Sequence, residues 1–357
     1  MTKITRKSLS IICLLAFGLG TLKLTAYIPS PVFAQIQSEA PDSLEADRLS
    51  ILGDQLEAAS RYREAIESWQ KALRLYRILE NRKGEGKVLV DLCVVYRRLG
   101  QYQKAIEFGE QSLVIYRQNG DLNGEGNSLG NLATVYRYLG QYQKVIELNQ
   151  QSLAIFKQNG NRKNEAGILN NLGLAYKSLG QYLKASEFYQ QSLAIKKEIG
   201  DRIGEANSLM NLGDIYRIQG QNQKAIEFTH ESFLIFKEIG DRSGEGNALG
   251  SIGNNYLNLR QYQKAIESYL KSLSIFKQID DRYAEVGTLN NLGAAYGNLG
   301  QSPKAIEYFQ QSLIIAKQIG DIKSQRTALN NLINIYNTLG KQQEAIEFRQ
   351  QLLEITK

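Results

Sequence analysis

The chain has 357 residues and a formal charge of +7, from 43 bases against 36 acids. Four of the bases, Lys3, Arg6, Lys7 and Lys23, stand in residues 1–34, which hold no acid, so the remainder carries 39 bases against 36 acids and offers little for a nucleic-acid surface. One histidine, and one cysteine beyond residue 34, leave too few ligands for a zinc site or a Cys/His pair within one copy of the chain.

The amino-terminal stretch reads as a targeting segment. A basic start, "MTKITRK", leads into the 14-residue apolar run "LSIICLLAFGLGTL" and then "PVFAQ". Val32 and Ala34 place small residues three and one before a cut ahead of Gln35, the layout of a secretory signal peptide. The run is short against the roughly 20 residues of a membrane span. An uncleaved anchor over residues 8–34 is the alternative, and the only route by which a membrane enters. Export to a bacterial periplasm or beyond the cell is therefore expected. Residues 35–42 form a short linker, and Cys93 then stands without an internal disulfide partner.

From residue 43 onward one unit repeats every forty residues. "SRYREAIE" at Ser60 is followed by "GQYQKAIE" at Gly100, "GQYQKVIE" at Gly140 and "GQYLKASE" at Gly180. The series continues at Gly220, Arg260, Gly300 and Gly340, giving eight units over residues 43–357. In the fourth unit Ile168, Leu172, Ala175, Tyr176 and Leu179 recur at helical spacing. Tyr182, Ala185, Tyr189, Leu193 and Ile195 form a second stripe after the turn at Gly180. Gly200 suits a left-handed helix end, Asp201 the cap of the next helix, and Glu205 its first turn. Each unit is thus predicted as two antiparallel helices. One such hairpin cannot bury both stripes alone, so the units must stack. Ala185 and its equivalents, among them Ala65, Ala105 and Ala225, are expected where the two helices cross.

"NNLGLAYKSLGQYLKASEFYQQSL" resembles the tetratricopeptide repeat, with Leu172, Gly173, Tyr176, Gly180, Tyr182, Ala185, Tyr189 and Leu193 at the signature places. The forty-residue unit and its "GDR-x-GE" linker are similar to the subtype of kinesin light chains and spindle-orientation adaptors, and to exported bacterial arrays. Leu169 and Lys197 stand where the family has Trp and Pro. Cys93, Ile333 and Arg349 break the small-residue and aromatic positions of the outer units. The resemblance implies an all-α fold, a right-handed α-solenoid of eight antiparallel helix pairs, with partner peptides held in its concave groove.

Chemistry is sparse. His230, in "THES", reads as part of a solvated face, Cys93 as a buried inert thiol, and stretches such as "GDLNGEG" as helix boundaries without a phosphate-loop Lys-Ser/Thr. The ladder Tyr96, Tyr136, Tyr176, Tyr216, Tyr256, Tyr296 and Tyr336 shares the face of the core leucines, so it is expected to pack. No metal, cofactor or catalytic group is expected.

The other face of the first helix carries the functional expectation. Asn131, Asn171, Asn211, Asn291 and Asn331 recur at one position, and Asn127, Asn207, Asn247 and Asn254 add to that surface. A carboxamide both donates and accepts, so it can pair with an extended peptide backbone. Asparagine inside a helix costs up to about 0.7 kcal/mol against alanine. Related arrays use such asparagines on ligand backbones; the alternative is that these bond within the array. A basic stripe, Arg97, Arg137, Lys177 and Arg217, would favour an acidic partner segment at the amino-terminal half. The leading reading is a non-enzymatic scaffold binding an extended segment of a partner protein. Self-association is the alternative, since the last helix carries Ile346, Leu352, Leu353 and Ile355 with no further helix to cover them. Nucleic-acid binding stands a distant third, disfavoured by export and charge.

Overall fold

A computed structural model describes residues 43–355; the expected signal segment and linker lie outside the described residues. Among the described residues the chain forms sixteen helices and no strand. Unit 1 holds α1 (Ser43–Ala58) and α2 (Tyr62–Ile78), and unit 2 α3 (Arg82–Arg98) and α4 (Tyr102–Asn119). Unit 3 holds α5 (Leu122–Tyr138) and α6 (Tyr142–Gln158), and unit 4 α7 (Arg162–Ser178) and α8 (Tyr182–Glu198). Unit 5 holds α9 (Arg202–Ile218) and α10 (Asn222–Ile239), and unit 6 α11 (Arg242–Asn258) and α12 (Tyr262–Gln278). Unit 7 holds α13 (Arg282–Asn298) and α14 (Ser302–Gln318), and unit 8 α15 (Ile322–Thr338) and α16 (Gln342–Glu354). The result is the expected all-α solenoid of eight helix pairs.

The boundaries follow the predicted punctuation. Asp201 accepts a hydrogen bond from the Gly204 amide at 2.9 Å, and Asn81, Asp121, Asn161, Asp241, Asp281 and Asp321 cap their helices in the same way. Gly180 and Gly200 take φ of +71° and +70°, where a side chain would be strained. The linker arginine has a further task. Arg202 donates to Glu205 and to Glu238, each at 2.6 Å, tying the start of α9 to the end of α10. Glu205 is buried and also faces Lys197 of the preceding unit at 3.7 Å. "GDR-x-GE" is therefore a structural stitch within and between units.

Inside each pair the helices close on small residues. Ala185 is fully buried at the crossing. A methyl group on Gly173 would lie 2.6 Å from the Tyr189 ring, so the ring rests on the bare backbone. Unit 2 inverts this arrangement. Cys93 replaces the first-helix glycine, and Gly109 on α4 leaves room for it, with Cys93 Sγ 3.2 Å from where a Gly109 methyl would sit. The expected irregularity at Cys93 is thus compensated, and burial pushes its thiol up to about 12. Unit 8 is less complete: Arg349 is exposed and Ala345 is the one buried residue of α16. A further tie is a serine ladder: Ser152, Ser192, Ser232 and Ser272 each donate at 2.8 Å to a first-helix carbonyl of their own unit.

Not every prediction of burial holds. Leu179 is the C-cap that follows α7, and it is 40 % exposed. Leu352 on α16 and Ile355 just after it turn inward against the core, whereas Ile346 is 45 % exposed.

First helices of neighbouring units touch directly at units 1–2, 2–3, 5–6, 6–7 and 7–8, and second helices make no comparable contact with one another. The stack is therefore tighter on the first-helix side, which makes that side the inner, concave one.

One contrast tests the packing. Tyr269 Oη donates to Asn254 Oδ1 at 2.6 Å, but the equivalent Tyr189 hydroxyl is buried without a partner, because Leu174 stands where Asn254 stands. Removing an unsatisfied buried hydroxyl differs from breaking a hydrogen bond. Tyr189→Phe is expected to leave stability unchanged or raise it, and Tyr269→Phe to lower it by about 1 kcal/mol, both measured by chemical denaturation.

Candidate peptide-binding groove

Three hollows lie along the first-helix face. The largest, about 530 Å³, is lined by Asn127, Asn131, Thr134, Asn164, Gly167 and Asn171, with Lys196 and Asp201. It lies chiefly between α5 and α7. Gly167 contributes space there, since a methyl group on it would meet nothing within 4 Å. A second hollow, about 270 Å³, is lined by Asn207, Met210, Asn247 and Ser251. The third, about 230 Å³, is lined by Asn211, Asp214, Arg217, Asn254 and Asn255. Seven of the nine asparagines singled out in the sequence thus line one face. Asn291 and Asn331 are half-buried on α13 and α15, outside these hollows.

The amides divide by what they bond. Asn211 donates to Asn170 at 2.9 Å, Asn127 accepts from Asn164 at 3.1 Å, and Asn331 donates to Asn290 at 3.5 Å. Asn254 accepts from Tyr269. Asn131, Asn171, Asn207, Asn247 and Asn291 make no side-chain hydrogen bond within the described residues. The array therefore uses part of the series for itself and leaves Asn131 and Asn171 with full donor and acceptor capacity inside the largest hollow.

The basic stripe also splits. Lys177 and Arg217 both hydrogen-bond the Asp214 carboxylate. Burial alone would raise that carboxyl, but the two cations hold it below the usual carboxylate range. Arg97 and Arg137 have no carboxylate partner; their guanidinium carbons lie 5.6 and 4.7 Å from the centroid of the Tyr138 ring. Only this amino-terminal half of the stripe keeps unneutralised charge.

Several groups in the hollows escaped the sequence reading. Asn255 is buried with its Oδ1 unpartnered, beside the buried Thr229. Thr229 takes the place of the ring seen at Tyr189 and Tyr269, and the smaller side chain leaves the third hollow. Lys196 is 8 % exposed and donates to Ser208 at 3.0 Å, at a position where other units place Tyr116, Phe156, Phe236 or Phe276. Comparing each repeat position down the array would have exposed both departures. His230 is exposed, as expected. Among the described residues no three His, Cys, Asp or Glu side chains gather as a metal site, and no helix is long and apolar enough to cross a membrane.

The family profile described as tetratricopeptide repeat matches residues 42–118, 84–158, 124–198, 164–229, 204–278 and 284–357. The chain belongs to the tetratricopeptide repeat family. No match was found among the curated proteins. Among solved structures, the tetratricopeptide sensor-bearing signal-transduction ATPase PH0952 of Pyrococcus horikoshii is 15 % identical, with a TM-score of 0.67 over 90 % of this chain and 48 % of that one. Aspartyl phosphate phosphatase F of Bacillus subtilis is 17 % identical, with a TM-score of 0.63 over 80 % and 74 % of the two chains. A Rap protein complexed with competence and sporulation factor is 17 % identical, with a TM-score of 0.56 over 82 % and 80 %. These likenesses establish the fold.

Within the tetratricopeptide array, Lys196 offers a pH test. Burial lowers its pKa, and Asp201 offsets this in part. The folded state therefore binds that proton less readily than the unfolded chain. The resulting penalty is present at neutral pH and fades as pH rises through the lowered pKa towards the ordinary lysine value of 10.5. Lys196→Met is expected to raise the melting temperature at pH 7, by an amount that shrinks towards pH 10. A gain that is independent of pH would point to packing alone.

Proposed function

We propose that this tetratricopeptide array is a non-enzymatic interaction scaffold that holds an extended segment of another protein along its first-helix face. The observation that carries the reading is the hollow of about 530 Å³ beside α7, where Asn131 and Asn171 stand without intramolecular partners. An extended backbone presents an N–H and a C=O in alternation, and a carboxamide can meet either. Each such bond contributes about 0.5–1.5 kcal/mol net, so several rungs give holding that tolerates sequence variation. Tetratricopeptide arrays are generally non-catalytic, and the groups lining these hollows supply binding chemistry rather than a nucleophile paired with a base. That a structural neighbour was solved with a bound factor is in keeping with the reading.

Charge refines the partner. Arg97 and Arg137 favour a segment with acidic residues towards units 2 and 3, whereas Lys177 and Arg217 are already held by Asp214. We propose that the encounter takes place in the periplasm or outside the cell, a reading supported by the targeting layout of residues 1–34.

Self-association is a second reading, favoured by the exposed Ile346 on α16 and Ile51 on α1. A strictly monomeric mass at high protein concentration would remove it.

Photo-crosslinking from position 131 in the native envelope, with identification of the adduct, tests the scaffold directly. Asn131→Ala with Asn171→Ala is expected to reduce the adduct formed from a probe at position 167, with helicity unchanged. An undiminished adduct would reject the asparagine mechanism. Arg137→Glu is expected to weaken capture in a salt-dependent way, and Lys177→Glu to change it less.

A further inference from the structure

The outer side of the array carries a stacked ring pair in five of its eight units. Tyr96, Tyr176, Tyr216, Tyr296 and Tyr336 stack on Phe108, Phe188, Phe228, Tyr308 and Phe348, with centroids 5.1–5.5 Å apart and planes within 17° of parallel. In unit 3 the second ring is replaced by the buried Leu148. In unit 6 it is Ser268, whose hydroxyl donates to Lys264 O at 2.9 Å on its own helix. Tyr256 keeps a cation near its ring, Lys264 Nζ at 5.5 Å from the centroid, but has no stacked ring.

The missing ring coincides with a cavity of about 660 Å³ between the second helices α10 and α12. Leu249, Ile252 and Tyr256 of α11 form its floor, and Phe233 and Ile275 its walls. Its volume suits an inserted group, and its lining is an apolar base with a cationic rim. Lys237, Lys264 and Lys271 all line it, and none is ion-paired within the described residues. Glu245 is taken up by Arg242, so Glu267 is the one unpaired carboxylate against these three ammonium groups. His230 completes the lining.

We infer that this cavity binds an aromatic side chain carried on an acidic segment of a partner protein. The ring would occupy the place that Phe188 or Phe228 holds in other units, against Tyr256. The flanking carboxylates would meet Lys264, Lys271 and Lys237. The spread of the cations favours a peptide over a single small aromatic acid. Lys264 lies near the start of α12 and Lys237 near the end of α10, and these helices run in the same sense through the stack. Thirteen residues of helix separate the two register positions, or about 20 Å, the reach of roughly six extended residues. This site is on the face opposite the asparagine hollows and does not depend on them.

Ser268→Phe fills the cavity with the ring the array itself uses elsewhere, so the variant is expected to fold with an unchanged or higher melting temperature. The probe is the synthetic peptide Glu-Asp-Glu-Phe-Glu-Asp-Glu, titrated calorimetrically into the full chain, beside its Phe→Ala counterpart and free phenylacetate. Saturable binding is expected for the Phe peptide, at least about tenfold weaker binding for the Ala peptide, and none for Ser268→Phe. Lys264→Ala with Lys271→Ala, which keeps the cavity, is expected to weaken the Phe peptide at low salt and to flatten its salt dependence. Equal binding by Ser268→Phe, equal binding of the Phe and Ala peptides, or no saturable binding would each overturn the proposal. Phenylacetate binding as tightly as the peptide would overturn the peptide as occupant.

Discussion

Each helix pair closes where a side chain of the second helix lies over a residue of the first that has little side chain of its own. Tyr189 on Gly173, Tyr269 on Gly253 and Phe309 on Gly293 are the regular form, each ring within 2.6 Å of where a methyl group would stand. That contact sets how near the two helices come, and so where every outward-facing residue of the unit points. Because all units use nearly the same closure, they present nearly the same surface to the next, and stacking can continue. A departure from that pair is compensated in one unit and left open in another. Cys93 is matched by Gly109, and Thr229, small where a ring is usual, leaves a hollow and a buried Asn255 behind it.

The two faces of the array acquire their character from departures of this kind. On the inner face, most of the lining is supplied by the repeat itself, and asparagines recur because the unit recurs. What distinguishes one stretch from another is whether a neighbour engages the amide. Asn170 reaches Asn211 and Asn164 reaches Asn127, but no side chain engages Asn131 or Asn171. On the outer face, Ser268 in the place of a stacked ring leaves a cavity in the seam. In both places an array built for uniformity becomes specific through an omission.

Charge is distributed by the same logic. Four linker arginines, Arg162, Arg202, Arg242 and Arg282, are bound up in holding the helix pair closed, each bridging a buried glutamate and the end of the pair's second helix. Among the cations left without an acidic partner are Arg97 and Arg137 inside, and Lys237, Lys264 and Lys271 outside. Lys177 and Arg217 look identical to Arg137 in the repeat register, yet Asp214, which has no acidic counterpart in most units, neutralises them.

The architecture was legible in the sequence because periodicity survives translation into structure. A helical stripe, a left-handed glycine and a capping aspartate are local features, and forty-residue recurrence makes the stacking of pairs unavoidable once one pair is understood. Local pattern also placed the tyrosine ladder in the packing and kept Cys93 inert. It could not place what depends on neighbours forty residues away. Whether an asparagine is free, whether Lys177 carries net charge, and whether Leu352 turns inward are decided by side chains on the next helix over. The hollows beside α7 and Tyr256 belong to the same class, because an unfilled volume is a property of three helices together and no single stretch of chain encodes it.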